Sequence, residues 1–251
     1  MKKSTILSFF YLLAVSFAVA NPQTEISNGN KAYQQGQFEE AIKIYEKIIE
    51  QGQTSAELYY NLGNAHFKAN NIPSAILNYE RALKLDPTNE DIIYNLKVSN
   101  NQIIDKIDEL PKLFYQRWWD SLKQLLAPDA WAWLSIILFS LFFVTIAIFL
   151  LSSSAIVRRV LLPLGIAFLF STCIVLIVAQ NTYTHAKNKN EGIVFAPALT
   201  VKSSPEESGV DLFVVHEGLK VQIIDELTGW KEIRISNGSK GWVKAETIMP
   251  I

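Results

Sequence analysis

Two long stretches without a charged residue constrain this chain more than any other feature. No charge occurs from Ala130 to Leu151 or from Val160 to Ala179. At 1.5 Å of helical rise per residue, each stretch can cross a hydrocarbon layer about 30 Å thick. The short connection at 152–159 makes two such helices antiparallel neighbours. We therefore predict a transmembrane hairpin with helices at 130–151 and 160–180.

Flanking charges and the N-terminal segment indicate the orientation of this hairpin. Arg158 and Arg159 in the short connection favour the cytoplasmic side. Residues 1–20 are typical of a cleavable signal peptide, because Lys2 and Lys3 precede an apolar core that ends in small residues. An uncleaved anchor is the alternative. Both versions place residue 21 onward outside the cytoplasm.

The two spans contain no ionisable side chain of the kind that transport or proton transfer requires. Ser171, Thr172 and Cys173 are explained by a small-residue contact between the two helices, and lining a pathway is the alternative. We interpret the spans as an anchor, which makes a transporter or channel subunit the disfavoured hypothesis.

Side chains between the signal and the spans recur 34 residues apart, as Gly29 and Gly63 or Tyr45 and Tyr79 show. The second copy resembles the tetratricopeptide repeat (TPR) at eight offsets, which hold Tyr59, Leu62, Gly63, His66, Ala75, Tyr79, Ala82 and Pro87. The resemblance implies two antiparallel helices per repeat, with close approach at Gly63 and Ala75. His66 falls at a packing offset, which predicts a core residue.

These offsets predict a TPR domain over 21–107. Its repeats cover about 22–55 and 56–89, and a capping helix covers 90–107. The capping segment repeats the opening of the second copy, but Lys97 stands where Gly63 would be and prevents the same close crossing.

Arrays of this kind have a concave groove that binds peptides or helices of partner proteins. By repeat offset, the predicted partner-binding residues are Asn30, Tyr33, Tyr60, Asn64, Phe67, Lys68 and Tyr94. Amides can bond the backbone of an extended segment while rings cover its side chains. A plain solvated helix face is the alternative.

The segment 108–128 precedes the first span. Phe114, Trp118, Leu122 and Leu125 recur there at helical spacing. The pattern predicts an amphipathic interfacial helix, with Trp rings at the membrane surface. A buried helix of the repeat domain is the alternative.

Residues 191–251 contain five or six short runs of strand-forming residues divided by Gly, Pro, Ser and Asn. Their spacing, with Gly229-Trp230 and Gly241-Trp242-Val243, resembles a bacterial SH3 domain. The resemblance implies a small barrel with both tryptophans near or within its core. His216 and Glu217 are predicted to be surface turn residues.

Composition argues against several functions. The net charge of −1 argues against nucleic acid as a partner, and the one cysteine forms no intramolecular disulfide or Cys-rich metal site. The chain has no P-loop, HExxH or dinucleotide-binding glycine motif. We therefore predict no enzyme activity, no catalytic residues, no cofactor and no metal site.

Together these segments predict a multi-domain membrane protein with an all-α repeat array, a two-helix transmembrane hairpin and a small all-β SH3-like barrel. Their order, with Arg117-Trp118-Trp119-Asp120 before the spans, resembles the BatE family of the aerotolerance (Bat) operon. That resemblance implies a multi-pass protein of the inner (plasma) membrane with both soluble domains in the periplasm. It also implies partners among von Willebrand A domain Bat proteins and a MoxR-type ATPase.

The leading prediction for function is an anchored TPR/SH3 scaffold that binds partner proteins in such a stress-tolerance complex. The alternative is an envelope sensor or anchor whose barrel binds peptidoglycan.

Overall fold

A computed structural model describes residues 22–107, 111, 113–123, 125–187 and 190–251. The signal peptide predicted over 1–20 lies outside them. The chain divides into two compact units, Met1–Thr54 and Ser55–Ile251.

In the Met1–Thr54 unit, the described residues form one helix pair, α1 (Pro22–Gln34) and α2 (Phe38–Glu50). The turn between them includes Gly36 at φ +76°, a backbone conformation that glycine adopts without a steric penalty. Buried side chains of this helix pair include Ala32, Ala41, Tyr45 and Ile48.

The Ser55–Ile251 unit begins with three packed helices, α3 (Ala56–Lys68), α4 (Ile72–Leu85) and α5 (Glu90–Asn100). Each follows a polar cap that satisfies free backbone N–H groups. The side chain of Ser55 accepts from the N–H of Leu58 at 3.1 Å. Asn71 and Asn89 cap the next two helices in the same way.

The helix expected over 90–107 ends at Asn100. The chain beyond it runs along the β-sheet, where Ile103 and Ile107 pack against buried residues. The chain after Asn100 is therefore not helical and instead places these two apolar side chains, partly buried, against the sheet and the repeat.

A short helix, α6 (Phe114–Lys123), precedes the apolar hairpin. None of its side chains, all of which the structure describes, is buried, which argues against a buried helix of the repeat domain. Trp119 and Leu122 pack against a buried cluster of the hairpin that contains Trp131, while Phe114 and Trp118 are exposed. The tryptophan that contacts the hairpin is therefore Trp119, whereas the predicted apolar face of this helix contained Trp118.

The hairpin consists of α7 (Pro128–Leu151) and α8 (Ala155–Lys187), which pack closely together. Both helices are long and apolar enough to cross a membrane by length and composition. Thr145 and Thr172 are buried, and each hydroxyl donates to a carbonyl of its own helix at 2.8 Å. Buried polar atoms in the hairpin are thus satisfied locally.

The chain ends in a seven-stranded antiparallel sheet with the order β3-β2-β6-β5-β4-β1-β7. Its strands are β1 (Glu191–Val194), β2 (Ala198–Lys202), β3 (Asp211–His216), β4 (Lys220–Leu227), β5 (Trp230–Arg234), β6 (Lys240–Lys244) and β7 (Ile248–Pro250). The sequence predicted six of these strands and missed β7. Among the described residues, β3 and β7 are the edges of the sheet, which is therefore not a closed barrel.

The core of the sheet is aliphatic, and the two tryptophans lie outside it. Trp242 is opposite Glu232 in the strand register, whereas Ile233 is opposite Gly241. Because strand side chains alternate between faces, Trp230, Glu232 and Trp242 share the face opposite to the fully buried Ile233. Both indoles are half-buried, so the prediction that they lie near or within a barrel core is corrected.

The sheet packs directly on the second repeat. Ile193 of β1 and Ile251 lie in one buried cluster with Ile76 of α4 and Ile92 of α5. The guanidinium of Arg81 donates to the carbonyl oxygen of Pro250 at 2.8 Å. The sheet and the second repeat thus share one buried cluster, in addition to the core that the sheet forms by itself.

A second contact holds the end of β3. The backbone N–H of His216 donates to Oδ2 of Asp105 at 2.6 Å, and its Nδ1 lies 2.9 Å from Oδ1. His216 was predicted to be a plain surface turn residue. The structure shows instead that it joins the sheet to the segment after α5.

Candidate partner-binding surface

The Met1–Thr54 unit holds two of the predicted binding residues, Asn30 and Tyr33. The hydroxyl of Tyr45 donates to Oδ1 of Asn30 at 2.6 Å. A Cβ at Gly29 would overlap the ring of Tyr45, so glycine is needed for this approach. Tyr33 contacts the ring of Phe38 at 5.4 Å between centroids. Asn30 therefore has a structural role within its own helix pair.

The Ser55–Ile251 unit repeats the same arrangement 34 residues later. The hydroxyl of Tyr79 donates to Oδ1 of Asn64 at 2.7 Å. A Cβ at Gly63 would lie 2.7 Å from Cε1 of Tyr79, which is closer than real contacts allow. Gly63 thus makes room for the ring of Tyr79, and Asn64, the next residue, accepts a hydrogen bond from the hydroxyl of that tyrosine. The sequence had predicted close approach at Gly63 and Ala75 without this pairing.

Asn95 of α5 extends this network, and sequence reasoning missed it. Its Nδ2 donates to the hydroxyl oxygen of Tyr60 and to Oδ1 of Asn64, both at 3.0 Å. The rings of Tyr60 and Tyr79 lie 6.0 Å apart. The sequence aligns Tyr94-Asn95-Leu96 with Tyr60-Asn61-Leu62, but this alignment does not show that Asn95 bonds Tyr60 and Asn64.

The predicted residues of this unit therefore divide into those that already make contacts within the protein and those that are exposed. Tyr60 and Asn64 belong to the network that joins α3, α4 and α5. Phe67 is half-buried and packs against the repeat core. Lys68 is exposed, and Tyr94 is 67% exposed. Lys68 and Tyr94 are the predicted residues that this surface offers most openly to a partner.

His66 lies in the packed interior of α3, as predicted. It is 7% exposed, and burial lowers its pKa to about 4. The imidazole is therefore neutral at pH 7, which suits a core residue.

This burial predicts a pH-dependent stability. The folded pKa lies below the unfolded value of about 6.5, so the stabilising effect is complete above that pH and decreases as the pH falls toward 4. When the pH decreases from 7 to 5, protonation of His66 in the unfolded state should lower the free energy of unfolding by about 2 kcal/mol. His66→Phe should remove this contribution to the difference in unfolding free energy, which urea titrations at pH 7 and pH 5 measure. An unchanged difference in the variant would contradict the buried neutral imidazole.

Two family comparisons agree with this geometry. Residues 56–89 match the model described as tetratricopeptide repeat, and residues 29–70 match the model described as TPR repeat. The chain therefore contains TPR repeats, which generally bind partner proteins. No curated protein matches the chain.

Proposed function

We propose that this protein is a membrane-tethered scaffold whose repeats bind a segment of a partner protein. The observation that carries the proposal is the presence of TPR repeats in a chain with two helices long enough to cross a membrane. The hairpin holds the protein at the bilayer, and the repeats supply the binding surface.

Tyr94 and Lys68 are the central residues of that surface. An exposed tyrosine can cover apolar side chains of a partner and still present its hydroxyl for a hydrogen bond. The network of Tyr60, Asn64 and Asn95 keeps α3 and α5 in a fixed relation. A preorganised surface loses less conformational entropy when it binds.

The location of the protein in the cell and its partners are inferred from the resemblance to the BatE family. The protein is a multi-pass protein of the inner membrane, with both soluble parts in the periplasm. Its partners are von Willebrand A domain Bat proteins, in a Bat/MoxR complex for aerotolerance or stress tolerance. The order of repeats, apolar hairpin and terminal sheet along the chain supports this proposal.

A double substitution tests the binding surface. Tyr94→Ala with Lys68→Ala should reduce recovery of co-produced operon proteins by about tenfold or more, since exposed aromatic anchors dominate such interfaces. Recovery is measured by affinity capture from solubilised membranes. Both side chains are exposed, so the fold should survive.

Tyr115→Ala is the matched control, because Tyr115 is an exposed tyrosine on α6. It should leave recovery unchanged. Equal recovery with the double variant and the control would contradict binding at Tyr94 and Lys68.

The second candidate is peptidoglycan binding by the sheet, with an SH3-like role. It is favoured by Trp230 and Trp242, which share one face and are not needed in the aliphatic core. Trp230→Ala with Trp242→Ala should lower co-sedimentation of the detergent-solubilised protein with purified sacculi about tenfold, as loss of stacking surfaces would. Wild-type protein that stays in the supernatant would refute this candidate.

A further inference from the structure

A cavity of about 290 Å³ lies where the repeat and sheet meet the apolar hairpin. The hairpin contributes Pro128, at the start of α7, and Thr182, near the end of α8. Leu83 and Pro87 line it from the side of the repeat. If α7 and α8 cross a bilayer, the cavity lies at the ends of both spans, which is the depth of lipid headgroups.

Charged side chains of both signs line this cavity. They are the ammonium groups of Lys84, Lys123 and Lys220 and the carboxylates of Glu80, Asp120 and Glu191. Lys123 lies 2.9 Å from Asp120, and Lys220 lies 2.9 Å from Glu80 and 3.3 Å from Glu191. The lining is thus strongly polar, and its formal charges balance.

The burial of Lys84 shows that water has little access to part of this lining. Its side chain is 7% exposed, and burial lowers its pKa, with Lys220 adding to the effect and Glu191 opposing it. Buried charges are unfavourable unless groups of opposite charge compensate them. In this lining the lysines and carboxylates compensate one another in ion pairs, so a ligand that carries charges of both signs can exchange with these pairs without leaving a net charge.

We propose that the cavity binds the headgroup of a phospholipid that carries a phosphate and a primary ammonium. The phosphate interacts with the lysines, and the ammonium donates hydrogen bonds to the carboxylates. An anionic headgroup would add a net charge to a balanced site. A quaternary ammonium has no N–H to donate. The inference rests on the proposed insertion of α7 and α8 into a membrane.

The test uses the full chain in nanodiscs that contain phosphatidylethanolamine, phosphatidylglycerol and phosphatidylcholine in equal amounts. After mild detergent release, native mass spectrometry measures the lipids that remain bound. We expect one phosphatidylethanolamine per chain. Lys123→Met and Asp120→Asn should each reduce its retention about tenfold, the effect of losing one hydrogen bond to a charged group.

Lys240→Met is the matched control, because Lys240 forms a 3.2 Å ion pair with Glu232 on the sheet, outside the cavity lining. It should retain lipid as the wild type does. Equal retention of all three lipids, equal loss in the control, or displacement of the lipid by excess inorganic phosphate would overturn the proposal.

Carbonate extraction separates this inference from the proposed function. A chain that carbonate leaves in the membrane but that retains no phosphatidylethanolamine would refute the cavity site alone. A chain that carbonate releases would refute both the insertion and the lipid site.

Discussion

Ile193→Asp is expected to lower the free energy of unfolding of the Ser55–Ile251 unit by at least about 4 kcal/mol. Ile193 is 0% exposed and shares a buried cluster with Ile76 of α4 and Ile92 of α5. The substitution removes apolar contacts and places a carboxylate among aliphatic side chains. Since the site joins the sheet to the repeat, both should be affected.

Hydrogen–deuterium exchange of the detergent-solubilised chain measures this effect. Amides of α4 and α5 should exchange faster in the variant, although the substitution lies in β1. Leu212→Asp is the control, because Leu212 is 49% exposed on β3. Retained protection of α4 and α5 together with an unfolded sheet would show that the shared core does not stabilise the repeat.

Lys220→Met is expected to lower the same free energy by about 3 kcal/mol. Burial lowers the pKa of Lys220, but Glu80 and Glu191 outweigh this effect and raise it overall. The lysine is partly exposed, whereas the side chain of Glu80 is 10% exposed. Removing the ammonium therefore leaves a nearly buried carboxylate of α4 without its 2.9 Å ion-pair partner.

A double-mutant cycle tests the origin of this loss. Adding Glu80→Gln should restore part of the stability, because the unpaired charge disappears. Lys244→Met is the control, since its 2.7 Å pair with Glu207 is exposed to solvent, which screens the two charges, and its loss should have a much smaller effect. Equal losses for Lys220→Met and Lys244→Met, measured by chemical unfolding, would contradict a stabilising pair at the repeat–sheet contact.

Local patterns were sufficient for the elements that depend on local chemistry. The apolar helices follow from the absence of charge over 130–151 and 160–180, because that composition suits burial away from water along the whole helix. The repeats follow from Gly29 and Gly63, because a larger residue at either position would overlap the tyrosine ring that packs there. Six strands follow from runs of strand-forming residues bounded by turn residues.

The candidate binding surface was only partly predictable. Repeat offsets placed Tyr60, Asn64 and Tyr94 on the first helices of their repeats. Offsets do not show which polar atoms are already used within the protein. Asn64 accepts from both Tyr79 and Asn95, so its carbonyl oxygen supports the fold. Tyr94 is exposed and remains the better residue for binding.

The sequence by itself determined the helix pairs, the apolar hairpin and the terminal strands, since each depends on residues close together in the chain. Tertiary structure decided that the sheet packs on α4, that Trp230 and Trp242 face away from the aliphatic core, and that the capping helix ends at Asn100. The physical reason is that Ile193, Ile251 and Ile103 gain burial by meeting surfaces formed by distant segments, and no local periodicity encodes such a meeting.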